Sequence, residues 1–192
     1  MSVKIPAAQY LSKLFRGFVR SGSIAAIVLV GSISSAEENP EVAFYYGDLR
    51  GVNHTAVGVN WFSYNGERVT NVPPFGQRGG SCCVAVSAKW RPGLKATIEW
   101  EVDPDPYADI PMLKEGFGFE KEAWAAHVKN FERHHAVVDI PEYGVKVCGP
   151  TVHFLTCRKV KVTHSCIAQF SKKYPIKEPM KMEEPAECPV TI

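Results

Sequence analysis

The sequence has no acidic residue before Glu37, no cysteine before Cys82 and no uncharged apolar run long enough to cross a bilayer. Each absence excludes something. A transmembrane helix needs about 20 apolar residues, and the uncharged stretch from Ser21 to Ala36 is shorter. A lipid-anchored bacterial form would need a cysteine where the leader ends, and none stands there. No Gly-x-Ser-x-Gly elbow, phosphate loop or His-Glu-x-x-His helix occurs, which removes the common serine-hydrolase, nucleotide-hydrolase and zinc-protease readings. There is also no internal repeat and no low-complexity block.

In place of acids, the N-terminus carries Lys4, Lys13, Arg16 and Arg20, then the apolar stretch "SIAAIVLVGSIS", then small residues at Ser34 and Ala36. A positive segment, a short apolar core and a small-residue end are the parts of a secretory signal peptide. It is expected over residues 1–36, with cleavage after Ala36. Loss of its four cations takes the formal net charge from +2 to −2. The basic character therefore belongs to the leader, and no nucleic-acid partner is expected. About 156 of the 192 residues remain, enough for one domain with its own core. All six cysteines, Cys82, Cys83, Cys148, Cys157, Cys166 and Cys188, lie in this exported part. An even number in an oxidising compartment makes all of them disulfide candidates, with connectivity left open by sequence.

Short β-type runs bounded by turn residues dominate the exported part. "VAFYY" and "GVNHTAVGVNWFSYNG" read as strands, with Asn65-Gly66 as a tight turn into "ERVTNV". Pro73 and Pro74 stop that run, and "FGQRGG" reads as a loop. "SCCVAVSA" is the most apolar strand, and in "LKATIEWEV" the apolar Leu94, Ala96, Ile98 and Trp100 alternate with polar residues, as a one-face-buried strand requires. "DPDPYADIPM" holds three prolines in ten residues and cannot be regular structure. One helix is expected over "FEKEAWAAHVKNFERHH", where Phe119, Ala123, Trp124, Val128 and Phe131 form an apolar stripe to pack on the sheet. Strands return in "AVVDIPEY", "VKVCGPTVHFL" and "RKVKVTHS". The expected fold is mainly β: an antiparallel β-sandwich with one inserted α-helix, stapled by disulfides. The β-rich domain is placed at residues 37–170, followed by an extended proline-rich tail at 171–192.

The ordered series "GGSCCVAVSAKWRPGLKATIEW", "VVDIPEYG", "VHFL" and "KVKVTHS", opened by Asn53-His54-Thr55, resembles a bacterial family catalogued as domain of unknown function 3304. The likeness spans roughly Gly51 to His164. It implies an exported or lipid-anchored protein of a Gram-negative bacterium. It also implies, for some members, a role as immunity protein to phospholipase effectors of the type VI secretion system. Without a lipid-attachment cysteine, this chain would act as a soluble periplasmic protein.

Adjacent side chains on a strand point to opposite faces. Cys82 shares a face with Val84 and Val86 and is expected to be the more buried, while Cys83 is expected to bridge to another segment. A bulge at Gly79-Gly80 would exchange the two. As a catalytic alternative, one of these cysteines would need a free, low-pKa thiol and a base such as His54 or His153. Adjacent His134 and His135, and His153 with His164 across a hairpin, fit no zinc spacing, so no metal and no cofactor are expected. Asp103, Asp105 and Asp109 surround Tyr107 in a proline-stiffened loop, partly preorganised for a partner. Trp61, Phe62 and Tyr64 form a second contact candidate, against which core packing weighs. In "KWRPG", Pro92-Gly93 suits a type II turn, Trp90 covers the core edge, and Arg91 is positioned to stack on a ring.

The reading that follows is a non-catalytic periplasmic protein that binds and neutralises a cognate toxic effector, a phospholipase encoded nearby, with no stable membrane span. The alternatives are an exported thiol-dependent enzyme using Cys82 or Cys83, and a structural protein of the cell envelope.

Overall fold

The computed structural model describes residues 43–189; the leader expected over 1–36 lies outside them. Eight strands and one helix follow in the order β1 (Phe44–Asn53), β2 (Gly58–Tyr64), β3 (Glu67–Val72), β4 (Gln77–Ser87), β5 (Lys95–Asp103), α1 (Lys121–Val128), β6 (Glu132–Asp139), β7 (Thr151–Phe154) and β8 (Val160–Thr163). They form two four-stranded sheets, ordered β4-β1-β7-β8 and β3-β2-β5-β6. Every neighbouring pair is antiparallel except β1 and β7, which run parallel from Arg50↔Thr151 to Asn53↔Phe154. The fold is a mainly β, antiparallel sandwich with one inserted helix and three disulfide pairs, Cys82–Cys83, Cys148–Cys166 and Cys157–Cys188.

The alternation read in "LKATIEWEV" sets the core. Ala96, Ile98, Trp100 and Val102 of β5 are buried, while Lys95, Thr97 and Glu99 are exposed. Leu49, Phe62, Tyr64, Val84, Val86, Val152, Phe154 and Val162 meet them between the sheets. Gly51 is required there, because a Cβ would come within 2.7 Å of the Phe62 ring. Asn65 and Gly66 both take positive φ, 49° and 93°, which suits the tight turn of a two-residue hairpin. Gly93 also has positive φ, at 82°, as the third position of a type II turn demands. Trp90 closes the core edge there, donating its indole N–H to the Ile140 carbonyl at 2.9 Å.

Three local expectations are corrected. "FGQRGG" is not all loop, since Gln77 to Gly80 already pair with β1 as the start of β4. The helix is limited to Lys121–Val128, and Glu132 to His135 form β6 instead. Pairing decides this: Glu132↔Val102 through Asp139↔Lys95 gives every residue of β6 a cross-strand partner, a gain that no isolated helical turn can match. Nor does the helix pack on a sheet, for none of its residues is buried.

Among the described residues, the C-terminal segment carries no helix or strand beyond β8, yet it lies on the outer face of the sheet containing β7. Val152 and Phe154 point into the core, so Thr151 and His153 point outward. His153 is nevertheless only 1% exposed, because Tyr174 covers it. Cys148–Cys166 and Cys157–Cys188 tie this segment down at both ends, and Met182 donates its backbone N–H to the His54 carbonyl at 2.8 Å.

Candidate interaction surface

Between Asp103 at the end of β5 and Glu132 at the start of β6, the chain makes a long excursion that contains α1. Its root is fixed. Val102 pairs with Glu132 across the sheet, and Asp103 accepts a hydrogen bond from the Asp105 backbone at 2.9 Å. The other Asp103 oxygen lies 2.9 Å from Nε2 of His127, with both side chains about nine-tenths buried. A carboxylate only accepts, so His127 donates through Nε2. The excursion then holds itself together. Phe119 stacks on Trp124 at 5.2 Å, and Phe131 meets both Trp124 and His127 edge-on. Met112 bridges to Phe119, and Leu113 donates its N–H to the Gly118 carbonyl.

Several large apolar side chains remain on its outside. Tyr107 is 79% and Phe117 101% exposed, with Met112 and Leu113 also exposed. These side chains lie on a loop whose two ends enter paired strands, so the apolar surface is held in place instead of collapsing into the core. The excursion is also acidic. Residues 103–131 hold six acids (Asp103, Asp105, Asp109, Glu115, Glu120, Glu122) against three lysines (Lys114, Lys121, Lys129), a balance of −3.

The sequence candidates fall in different places. Asp105, Tyr107 and Asp109 lie on the excursion, but Asp103 is buried at its root and serves to position it. Trp61 lies half-buried beneath the Arg68 guanidinium, 3.7 Å from the ring centroid. Phe62 and Tyr64 lie inside the core and offer no contact surface. Arg91 is exposed, and among the described residues the guanidinium over a ring belongs to Arg68, with Arg133 further out. Sequence reasoning missed Phe117, Met112 and Leu113; the signal available was an apolar run beside Gly116 and Gly118, outside any period.

Cys82 and Cys83 require a further correction. They pair with each other, both are exposed, and neither reaches another segment. The ladder passes from Gly47↔Val84 to Leu49↔Ser81 and then to Arg50↔Gly79. Two residues thus stand opposite Asp48, and Gly80, with φ 108°, is skipped as a bulge. Val84 and Val86 keep the core face, while the bulged pair leaves it.

His54 and His153 are not brought to these cysteines. His54 stands six residues beyond Asp48 along the chain, roughly 20 Å at strand rise. It belongs instead to a buried chain of hydrogen bonds. His54 Nδ1 lies 2.8 Å from the Pro179 carbonyl, His54 Nε2 lies 2.8 Å from His153 Nδ1, and His153 Nε2 lies 2.8 Å from the Tyr174 hydroxyl. A carbonyl only accepts, so His54 donates from Nδ1 and accepts at Nε2. His153 then donates from Nδ1 and accepts at Nε2 from Tyr174. The His153 ring is neutral. Burial, reinforced by the neighbouring His54, lowers His153 to about 3; burial likewise pushes the Tyr174 hydroxyl up, keeping it protonated as the donor. His164 is elsewhere, beside Tyr64 at 3.2 Å, and does not meet His153. Burial lowers it to about 4. Among the described residues, the group with metal-ligand geometry is Cys157, Glu184 and Cys188, whose two sulfurs are joined as a disulfide.

Among the described residues no helix is long and apolar enough to cross a membrane. Three disulfide pairs are what an exported chain would carry. No curated protein and no solved structure matches the chain. The profile of one family does match, over residues 52–162, from the end of β1 into β8 and including the whole excursion. The protein belongs to that family, which is described as "Protein of unknown function (DUF3304)".

Proposed function

We propose that this chain is a non-catalytic periplasmic binding protein that neutralises a phospholipase effector of the type VI secretion system, docking through the excursion between β5 and β6. One observation carries the mode of action: Tyr107, Met112, Leu113 and Phe117 are held in solvent on a loop rooted by the buried Asp103–His127 contact. Exposed aromatic side chains on a rooted loop are preorganised anchors of the kind that tight interfaces use. The acidic balance of the excursion favours a basic surface on the partner and an association rate that falls with salt. The effector class comes from the family resemblance, an argument by analogy. The thiol-enzyme alternative needs a free thiolate, whereas all six cysteines are paired and no histidine of the buried chain stands beside Cys82 or Cys83.

The test is the affinity of the protein for the phospholipase encoded beside it, measured by calorimetry together with lipid hydrolysis. Nanomolar binding that stops hydrolysis is expected. A correctly folded, active neighbour that does not bind would remove the reading.

A further inference from the structure

At the end of the sandwich where β5 and β6 leave for the excursion, the two sheets border a solvent-open cavity of about 190 Å³. Val59, Trp100, Val102 and Phe154 give it an apolar wall, and charged side chains complete the lining. His134 of β6 is also in the wall, its ring tilted against Trp100 at 5.3 Å. Its Nε2 is buried without a hydrogen-bond partner. The nearest carboxylate oxygen, on Glu132, stands 3.3 Å away but outside hydrogen-bonding geometry. That oxygen is already engaged by Arg158 at 2.8 Å. Burial, then the Arg158 charge, hold the His134 imidazole below its ordinary range against the opposing pull of the Glu132 carboxylate.

Three properties define the occupant. The volume exceeds the roughly 150 Å³ of an apolar cavity that takes up benzene. The wall charges balance, Arg158 and Lys159 against Glu132 and Glu184, so a neutral ligand is favoured over an ion. One buried nitrogen lacks a partner, so the ligand needs one polar atom on an otherwise apolar body. We propose that this cavity is a binding site for a phenol, its ring against the apolar wall formed by Trp100 and Phe154 and its hydroxyl hydrogen-bonded to Nε2 of His134. The chemistry is shared by a free small phenol and by a tyrosine side chain on another protein. The site stands independently of the effector reading.

The experiment titrates the full-length protein with p-cresol and, separately, toluene, following the Trp100 indole N–H by NMR. Saturable shifts are expected, with p-cresol binding at least tenfold tighter than toluene. His134→Phe should abolish that preference while toluene still binds. Because a cavity-filling Val59→Phe risks misfolding, His134→Phe at a partly buried position of β6 is the decisive variant. No saturable shift with either probe up to its solubility limit would overturn the site. Equal affinity for the two probes in the unmodified protein would overturn the role of His134. N-acetyltyrosinamide separates the sources. Binding as tight as p-cresol assigns the site to a protein-borne tyrosine, and exclusion of the amide assigns it to a free phenol.

Discussion

Proton placement along the chain from Tyr174 through His153 and His54 to the Pro179 carbonyl is fixed by its last member, which can only accept. Each ring has one donor and one acceptor in use, so a proton added at His153 Nε2 displaces the Tyr174 hydrogen bond. The consequence for stability has a definite sign. His153 at about 3 and His164 at about 4 lie below their ordinary 6.5. The unfolded chain therefore binds protons that the fold refuses as pH falls. Stability should be full above pH 6.5 and should fall, by a few kcal/mol on the order of 1.4 per unit and group, as pH drops toward 4. Urea unfolding at several pH values would show this as a falling midpoint; a flat profile over that range would count against buried, neutral imidazoles. In a second test at this scale, Tyr174→Phe leaves Nε2 of His153 buried and unpaired. That should cost about 1–3 kcal/mol at pH 7, read from the same urea midpoint. None of this chain was legible in the sequence. His54 and His153 are 99 residues apart, and periodicity reports which face a residue occupies, not which distant side chain meets it. The local chemistry of Asn65-Gly66 and Pro92-Gly93 was legible because it depends only on the backbone freedom of those residues.

Among the elements, those with a clean alternation were readable, and those whose state depends on a partner were not. β5 shows its buried face in its own sequence. The residues of β6 read equally well as the end of a helix, and only pairing with β5 settles them. The C-terminal segment is the stronger case, since prolines predict extended chain but say nothing of what it lies on. Its disulfide Cys157–Cys188 closes a span of 31 residues. Replacing both cysteines by serine should lower stability by about 3–4 kcal/mol on loop-closure grounds, visible as a lower urea midpoint in non-reducing buffer. The excursion is subject to the opposite test. Asp103→Asn weakens a buried contact at its root without touching the sandwich core. Amide exchange should therefore rise across residues 104–131 while β2 and β5 keep their protection. If protection fell in β2 and β5 to the same extent, the root would be part of the global fold instead of an anchor for one loop.

For the molecule as a whole, composition and cysteine count pointed to a stapled β domain because those quantities reflect the total core and the compartment. The interaction surface was only half visible: the acidic proline loop with Tyr107 stood out, but Phe117 did not. An apolar residue in a glycine-rich stretch looks the same in sequence whether it is buried or wholly exposed, and the difference lies in the self-contained packing of Phe119, Trp124 and Phe131. That separation allows a clean test. Because Phe117 is fully exposed, Phe117→Asp removes no buried contact and should leave thermal stability within about 0.5 kcal/mol of the parent. It places a charge where the proposed interface must be dry, so affinity for the neighbouring phospholipase should fall at least about tenfold, a change of roughly 1.4 kcal/mol or more. Val137→Asp, on the exposed side of β6 well away from the excursion, supplies the control and should bind as the parent does. Equal losses from the two substitutions would mean that exposed apolar area in general drives association. A loss from Phe117 alone, measured by calorimetry on both folded variants, would locate the interface on the loop that the buried Asp103–His127 contact holds in place.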